Sequence, residues 1–391
     1  MRSSRVRSSR VRSSRALHSR TPVTKGTAIA TSYLMRSETV RHTEQPSAKV
    51  SNSATLLAAG LAAVGAGLLY RRLRHRYSFE GKVALITGGS RGLGLVLARE
   101  LASRGAKIAI CARDRDELQR AKEDLESRGA EVFDAICDVR QQTQVEEMIA
   151  DVRSRFGPID ILINNAGVIQ VGPLEAQTQT DFEDAMQVHF WGPYYTMRAV
   201  LPEMRQRGEG RIVNISSIGG KIAVPHLAPY CASKFALAGL SSAMRPELSK
   251  AGVFVTTVYP GLMRTGSHIN ALFKGQNKKE FALFSIMNGL PITSVSAENA
   301  ARQIADATAN GDAELIISPQ AKGAAKFNAL FPELTASLLG LTNQLLPDNG
   351  GIGRGYATGL DSGSAVSPSL LTSLVDAASE RNNELPSGSH I

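Results

Sequence analysis

Cysteine is scarce in this chain of 391 residues, which contains only Cys111, Cys137 and Cys231. The three lie far apart, form no CxxC pair and have no histidine cluster at metal-ligand spacing. This pattern argues against the common zinc modules. We therefore predict no metal site and expect three reduced, buried thiols.

Acidic residues are absent from the N-terminus until Glu38, whereas the opening MRSSRVRSSRVRSSR is three copies of a basic five-residue unit. Residues 1–76 contain 15 Lys and Arg residues and only two acids, Glu38 and Glu44, which gives them a net charge of +13. Since the net charge of the whole chain is +10, the remaining residues carry a net charge of −3. The basicity therefore belongs to the N-terminus, and we do not expect the folded body to bind nucleic acid.

Residues 1–53 are predicted to form a disordered basic segment, because they contain too little apolar surface to build a core. Three functions fit this composition: an Arg/Ser tail that binds RNA, a transit peptide, and a tail that binds lipid. A fourth interpretation is that translation starts at Met35 and the repeat is never made.

Charged residues are also missing from residues 54–70, ATLLAAGLAAVGAGLLY, which are followed at once by RRLRHR. As a helix this run would reach roughly 25 Å, near the lower limit for crossing a bilayer. We predict that residues 54–76 form a single-pass membrane anchor with its Arg flank, and the charge bias places the C-terminal body in the cytoplasm. A buried or surface-lying helix is the alternative.

From residue 77 onward, short apolar runs rich in β-branched residues alternate with helical patterns. Such alternation predicts an α/β fold, a Rossmann-like doubly wound parallel sheet with its ligand beyond the carboxyl ends of the strands. We predict a catalytic domain over 77–318, a helical extension over 319–346 and a flexible tail over 347–391. The seven predicted strands are 82–87, 106–111, 131–136, 159–163, 210–216, 253–259 and 314–317.

The first predicted strand ends in TGGSRGLG, where Gly88, Gly92 and Gly94 are spaced GxxxGxG around Ser90, Arg91 and Leu93. A tight glycine turn that opens a helix lets backbone N–H groups face a pyrophosphate. Because the turn lies between a strand and a helix of a βαβ unit, it predicts a dinucleotide site.

The second strand ends in Cys-Ala-Arg, so no acid stands where an NAD enzyme would hold the ribose hydroxyl. Arg113 and Arg91 would attract a 2′-phosphate instead, and we read Asp114 as the cap of the next helix. The sequence therefore favours NADP(H) over NAD.

Five motifs together make the chain resemble the short-chain dehydrogenase/reductase family over residues 80–318. They are TGGSRGLG at the glycine turn, NNAG at 164–167, NISS at 214–217, YCASK at 230–234 and PGLMRT at 260–265. The resemblance implies hydride transfer between a nicotinamide cofactor and a carbonyl or alcohol.

The resemblance also implies roles for matching positions. Tyr230 would be the catalytic acid/base, Lys234 the residue that lowers the pKa of Tyr230 and holds the nicotinamide ribose, and Ser217 the donor to the substrate carbonyl. The expected cofactor contacts, besides Tyr230 and Lys234 and the glycine turn, are Arg113, Asp138, Val139, Asn165, Ala166, Gly167, Pro260, Gly261 and Thr265. Structural alternatives stay open: Asn165 as a strand-end hydrogen bonder, Asp138 as a turn residue, and Ser216 in place of Ser217.

The chemistry of the pair is independent of the family. A phenol that must titrate near pH 7 rather than ~10 needs roughly 4 kcal/mol of preference for its anion. One ammonium about 4 Å away supplies on the order of 4 kcal/mol at an effective dielectric near 20. Since Tyr230 and Lys234 are four residues apart, a helix would place them on one face.

His189 stands where much of the family has Asn, in the helix behind the site. Because imidazole can donate, accept and titrate near neutrality, we predict that His189 serves the proton relay. The alternative is a buried histidine whose hydrogen bonds are satisfied.

Residues 266–293 break the alternation and are expected to cover the substrate, with Phe273, Phe281, Phe284, Met287 and Leu290 as an apolar pocket wall or as a helix packing on the body. The predicted function is NADP(H)-dependent interconversion of a lipophilic ketone or aldehyde with its alcohol, in a membrane-anchored enzyme that could form homo-oligomers. The rivals are a non-catalytic dinucleotide sensor, an RNA-associated protein, and a dehydratase or epimerase of the same superfamily.

Overall fold

The computed structural model describes a few residues between 57 and 67, then residues 77–363 and 372–386. The predicted disordered segment and most of the predicted anchor lie outside these residues. Within the described part of the chain, no helix combines the length and the apolarity needed to cross a bilayer.

The body is built on one seven-stranded sheet in which every neighbouring pair of strands is parallel. The strand order is β11-β7-β6-β4-β1-β2-β3. The strands are β1 (Val83–Thr87), β2 (Lys107–Ala112), β3 (Val132–Ile136), β4 (Ile161–Asn164), β6 (Gly210–Ile215), β7 (Val253–Pro260) and β11 (Glu314–Ile317). The predicted Rossmann-like sheet is confirmed, with each strand within a few residues of its predicted bounds.

Helices cover both faces of this sheet, as parallel crossovers require. They are α1 (Gly92–Ser103), α2 (Arg115–Ser127), α3 (Gln142–Phe156), α4 (Gln179–Met186), α5 (Gly192–Arg207), α6 (Ala228–Ser249), α7 (Asn277–Gly289), α8 (Ala297–Asn310), α9 (Pro319–Leu330), α10 (Pro332–Asn343) and α11 (Ser373–Arg381). A π-helical turn, Gln187–Trp191, joins α4 to α5.

Alternate residues of each central strand enter two separate apolar cores. In β1, Ala84 and Ile86 join the core under α1 and α8, whereas Val83 and Leu85 join the core under α3 and α5. This alternation explains why β1 reads as a continuous apolar run. Cys111, Cys137 and Cys231 are buried and unpaired, as predicted.

Two small sheets lie beyond the carboxyl edge of the main sheet. β8 (Leu262–Arg264) pairs with β10 (Ser294–Ser296), and β9 (Leu272–Phe273) lies between β5 (Gln170–Val171) and β12 (Ala357–Thr358). Phe273 and Phe281 are buried together with their ring centres 5.4 Å apart. These two aromatic residues therefore form a local core, as the second interpretation of this stretch expected, while Met287 and Leu290 are exposed.

The C-terminal segment departs from the expected flexible tail. Residues 372–386, which we call the C-terminal strap, contain α11 and dock on the body. Val375 and Ala378 are buried, as is Asn382 just beyond the helix. The segment was expected to be loose because its sequence is rich in Ser and Gly, but small residues also permit close packing.

Candidate active site

The glycine turn after β1 has the geometry that a dinucleotide cradle needs. Gly88 and Gly92 have φ values of +63° and +55°, a region that favours glycine. A Cβ on Gly88 would lie 2.8 Å from the Cα of Ala166, and one on Gly94 would meet the carbonyl of Gly88 and the amide of Asn165. The glycines thus allow α1 to begin close against the strand ends, with its N-terminus facing the cleft.

The side chain of Asn165 holds this turn in place. Its amide donates to the carbonyls of Thr87 and Gly88 at 3.1 and 3.0 Å, and the Thr87 hydroxyl accepts from the N–H groups of Asn165 and Ala166. The structural alternative for Asn165, a strand-end hydrogen bonder, is what the structure shows. Gly167 lets the chain pass His189, whose Nε2 would lie 3.1 Å from an added Cβ.

Glu117 of α2 was missed by sequence analysis. Its carboxylate accepts from Ser90 at 3.0 Å and from Arg91 at 2.6 Å, so Arg91 is already ion-paired. Arg113 at the end of β2 is exposed, and Asp114 caps α2 by accepting from the N–H of Glu117 at 2.8 Å, as predicted. Of the two predicted cations, Arg113 is therefore the one available to a 2′-phosphate.

The remaining predicted cofactor residues follow other strand ends. Asp138, after β3, forms an ion pair with Arg140 at 2.6 Å, and Val139 is buried in the apolar core. Leu93 is likewise a core residue. Pro260 and Gly261 end β7, and Thr265 is buried nearby with its hydroxyl 2.9 Å from that of Ser267.

Ser217 and its neighbour Ser216 have separate roles. Ser216 is buried and its hydroxyl donates to the carbonyl of Lys234 at 2.9 Å. Ser217 is partly exposed, accepts from the N–H of Gly219 at 3.0 Å and hydrogen-bonds to the phenol of Tyr230. Ser217 is therefore the serine that faces the site.

Tyr230 and Lys234 lie one turn apart in the first half of α6, with Lys234 Nζ 5.6 Å from the centre of the Tyr230 ring. Lys234 is almost fully buried and donates to the carbonyl of Ile215 at 2.8 Å. The end of β6 and the start of α6 thus bring Ser217, Tyr230 and Lys234 together, at the same carboxyl edge of the sheet as the glycine turn.

The charge state of the pair differs from the expectation that Lys234 lowers the pKa of Tyr230. Burial raises the pKa of Tyr230 to about 12, and the hydrogen bond from Ser217 offsets only part of this increase. Burial also lowers the pKa of Lys234 to about 7. Burial shifts both pKa values away from the charged forms by more than the attraction between the two groups opposes. The Lys234 ammonium also already donates its hydrogen bond to a backbone carbonyl.

His189 lies in the π-helical turn and is completely buried. Its Nε2 accepts from the N–H of Val168 at 3.1 Å, so Nδ1 carries the proton and faces the Ser233 hydroxyl at 2.8 Å. Burial and the charge of Lys234 hold the pKa of His189 well below its ordinary value. The expectation that His189 titrates near neutrality is therefore wrong, since both ring nitrogens are occupied away from water.

The ring of His189 nonetheless contacts Tyr230. It stands edge-on to the Tyr230 ring, with centres 5.4 Å apart and planes at 89°. Ser233, which sequence analysis did not single out, links the two residues, because its hydroxyl also donates to the carbonyl of Tyr230 at 2.8 Å. In the sequence, the only feature that could have pointed to Ser233 is its position three residues after Tyr230.

Comparison with known proteins identifies the family of this chain. The family model described as short chain dehydrogenase matches residues 82–273. The chain is 32% identical over 269 residues to Dehydrogenase/reductase SDR family member 7B of Danio rerio, covering 66% of this chain and 85% of that protein. The chain belongs to the short-chain dehydrogenase/reductase family and is an oxidoreductase, as its motifs predicted.

Two solved structures extend the comparison. A crystal structure of an actinorhodin polyketide ketoreductase with NADPH has a TM-score of 0.53 and 31% identity, covering 60% of this chain and 95% of that one. A gluconate 5-dehydrogenase from Burkholderia cenocepacia, in complex with NADP and tartrate, has a TM-score of 0.55 and 30% identity, covering 64% and 98%. The family likeness supports binding of a nicotinamide dinucleotide by this chain.

Proposed function

We propose that this protein is an NADP(H)-dependent reductase of a ketone or aldehyde, with Tyr230 as the proton donor. The observation that carries the proposal is the meeting of Ser217, Tyr230 and Lys234 beside a glycine turn that opens α1. The reverse reaction, oxidation of the alcohol, uses the same groups.

In this proposal, the cofactor and each residue of the site have separate roles in the reaction. The reduced nicotinamide supplies a hydride when the cofactor is bound in the cradle. The alkoxide that develops on the substrate needs a proton, and Tyr230, with its pKa of about 12, is a protonated donor at neutral pH. Ser217 is placed to hydrogen-bond the substrate oxygen beside Tyr230.

Lys234 and His189 support Tyr230 from behind. Lys234 lies 5.6 Å from the centre of the Tyr230 ring, where its positive charge can stabilise the Tyr230 anion after proton transfer. His189 is a positioning residue: its neutral ring packs on Tyr230 and holds Ser233. Neither residue needs to move for the proton to pass from the phenol to the substrate oxygen.

The cofactor preference is proposed from the end of β2. Arg113 is exposed there and Asp114 is committed to capping α2. A 2′-phosphate would gain a charge-assisted contact with Arg113, while a free ribose would find no carboxylate at Cys111, Ala112 or Arg113. The two relatives solved with NADPH or NADP point in the same direction.

A lipophilic substrate and a membrane tether remain proposals from the sequence. The apolar run 54–70 with its Arg flank motivates the tether. On α10 and at its start, Phe331, Leu334, Leu338 and Leu341 repeat at helical spacing and are exposed, which would suit a lipid surface. Flotation of the full chain with anionic vesicles, compared with a Leu334→Glu, Leu338→Glu double variant, tests the surface contact. Equal flotation of both would remove α10 from the proposal.

The reaction is tested by following NADPH oxidation with the purified full chain across a panel of carbonyl compounds that runs from short polar ketones to decanal-like aldehydes. We expect turnover, with higher kcat/KM for the apolar members. Tight NADPH binding with no turnover on any member would favour the dinucleotide sensor. Higher kcat/KM for the polar members would remove the lipophilic substrate.

A further inference from the structure

The C-terminal strap crosses the crevice that a dinucleotide would enter. One edge of the crevice is the glycine turn after β1, and the other is the segment after β7 that contains Thr265 and Asn270. The strap is hydrogen-bonded to both edges. It therefore lies in the cleft itself and not merely beside it.

On the glycine-turn edge, the strap uses groups at the N-terminus of α1. The N–H of Gly92, the first residue of α1, donates to the carbonyl of Asn382 at 2.9 Å. The side-chain amide of Asn383 donates to the carbonyls of Ser90 and Glu117 at 2.8 and 3.0 Å. The N–H of Gly92, which a pyrophosphate would approach, is thus already engaged by the strap.

On the opposite edge, the Asn382 amide donates to the carbonyl of Thr265 at 3.1 Å. The Ser379 hydroxyl donates to the carbonyl of Gly266 at 3.2 Å. Gly266 has a φ of +91°, and a Cβ there would collide with the backbone of Ser379. The close approach of the strap therefore depends on a glycine in the body.

Glu384 brings a carboxylate into the cradle. Its side chain is 2% exposed, and a Cβ on Gly92 would lie 2.5 Å from Glu384 Oε1. Glu384 Oε2 accepts from the Asn270 amide at 2.7 Å and lies 3.4 Å from Nε of Arg91. A helix N-terminus with a neighbouring guanidinium is an anion site, and here the Glu384 carboxyl group occupies it.

We propose that the C-terminal strap is an autoinhibitory element, in which Glu384 occupies the pyrophosphate cradle and cofactor binds only to molecules whose strap has left the cleft. The inference rests on the proposed nucleotide-binding function. It follows from exclusion of volume, since Asn382 already accepts from the Gly92 N–H and the Glu384 carboxyl group lies against Gly92 and Arg91, where the diphosphate would lie. The apparent cofactor affinity is then the intrinsic affinity reduced by the undocked fraction.

The test combines calorimetric titration of NADPH with hydrogen exchange of the strap, on the full chain. Asn383→Ala removes the side-chain hydrogen bonds to Ser90, Glu117 and Arg120 without changing charge. Because Asn383 has a φ of +58°, alanine also strains the docked backbone. Glu384→Ala removes the carboxylate. Glu380→Ala, an exposed acid on the same helix, is the matched control.

We expect NADPH to bind on the order of tenfold more tightly to Asn383→Ala and Glu384→Ala than to wild type, and Glu380→Ala to match wild type. In wild type, saturating NADPH should remove hydrogen-exchange protection from residues 372–386. A strap that stays protected while NADPH binds overturns the inference and leaves the proposed function intact. If hydrogen exchange shows that the strap of Asn383→Ala is released and NADPH still does not bind, the proposed function is overturned instead.

Discussion

Nζ of Lys234 donates a hydrogen bond of 2.8 Å to the carbonyl of Ile215, the last residue of β6. This contact anchors the start of α6 to the end of the strand that leads to Ser217. The two halves of the site are thus fixed to each other through a buried ammonium, whose pKa burial lowers to about 7. Truncation of Lys234 should therefore affect both structure and chemistry, which makes its neighbours better tests.

Replacement of Tyr230 with Phe should abolish the proton donor and leave the cradle intact. We expect kcat to fall about 10³-fold, within the range for loss of a general acid, with the Kd for NADPH nearly unchanged. Steady-state kinetics and calorimetric titration measure the two quantities. Tyr194→Phe, on the outer face of α5, is the control and should behave as wild type. Retention of turnover by Tyr230→Phe would remove Tyr230 from the mechanism.

The adjacent serines should separate activity from stability. Ser217→Ala is expected to lower kcat/KM at least tenfold with little change in Tm, because the hydroxyl is partly exposed and faces the substrate side. Ser216→Ala should cost about 1 kcal/mol of unfolding free energy, because a buried hydroxyl no longer donates to the carbonyl of Lys234. Equal losses of activity in the two variants would contradict the assignment.

His189 should show the behaviour of a positioning residue. We expect His189→Ala to lower kcat more than it raises KM, through loss of the packing on Tyr230. Since the folded-state pKa of His189 is below its unfolded value, the unfolded state binds more protons, and wild-type stability should fall as pH drops below about 6.5. Chemical denaturation between pH 7 and 5 should show a weaker pH dependence in His189→Asn than in wild type. An unchanged kcat would leave His189 with a structural role alone.

Docking of the strap should depend on pH through Glu384. Burial raises the pKa of Glu384 to about 7 from its ordinary 4.5, while Arg91 and Asn270 oppose the shift and Glu117 adds to it. The docked state thus binds the proton more tightly, so docking is strongest at low pH and weakens as pH rises through 7. A second contact joins the strap to the body, since His268 Nε2 lies 3.4 Å from Oδ1 of Asp376.

Apparent NADPH affinity should therefore rise between pH 5.5 and 8, measured by calorimetric titration. Glu384→Gln cannot titrate and should show a shallower rise, with the 2′-phosphate contributing equally in both proteins. Identical pH profiles would mean that Glu384 does not control docking.

Cofactor preference should depend on Arg113. Arg113→Ala is expected to raise the KM for NADPH about tenfold and to leave the KM for NADH nearly unchanged, because only NADPH carries the 2′-phosphate. Arg115→Ala, the next arginine along the chain, serves as the control. Equal changes for both cofactors would indicate a contact with the shared part of the molecule.

Much of this protein could be predicted from local sequence. The apolar runs defined all seven strands, and the spacing of Gly88, Gly92 and Gly94 placed the turn. Asp114 was identified as a helix cap because capping is a contact between residues three apart. Ser216 and Ser217 could not be separated in the same way, since which hydroxyl faces the site depends on α6, which lies elsewhere in the chain.

By itself, the sequence determined the fold, the family and the residues that meet at the carboxyl edge of the sheet, because periodicity and short motifs are local properties of the chain. Only the tertiary structure decided their electrostatics. Burial keeps Tyr230 protonated, lowers the pKa of Lys234 and lowers the pKa of His189 well below its ordinary value. The contact between Glu384 and Gly92 is likewise seen only in the tertiary structure. Contacts between segments that far apart follow from packing and solvent exclusion, which no local pattern encodes.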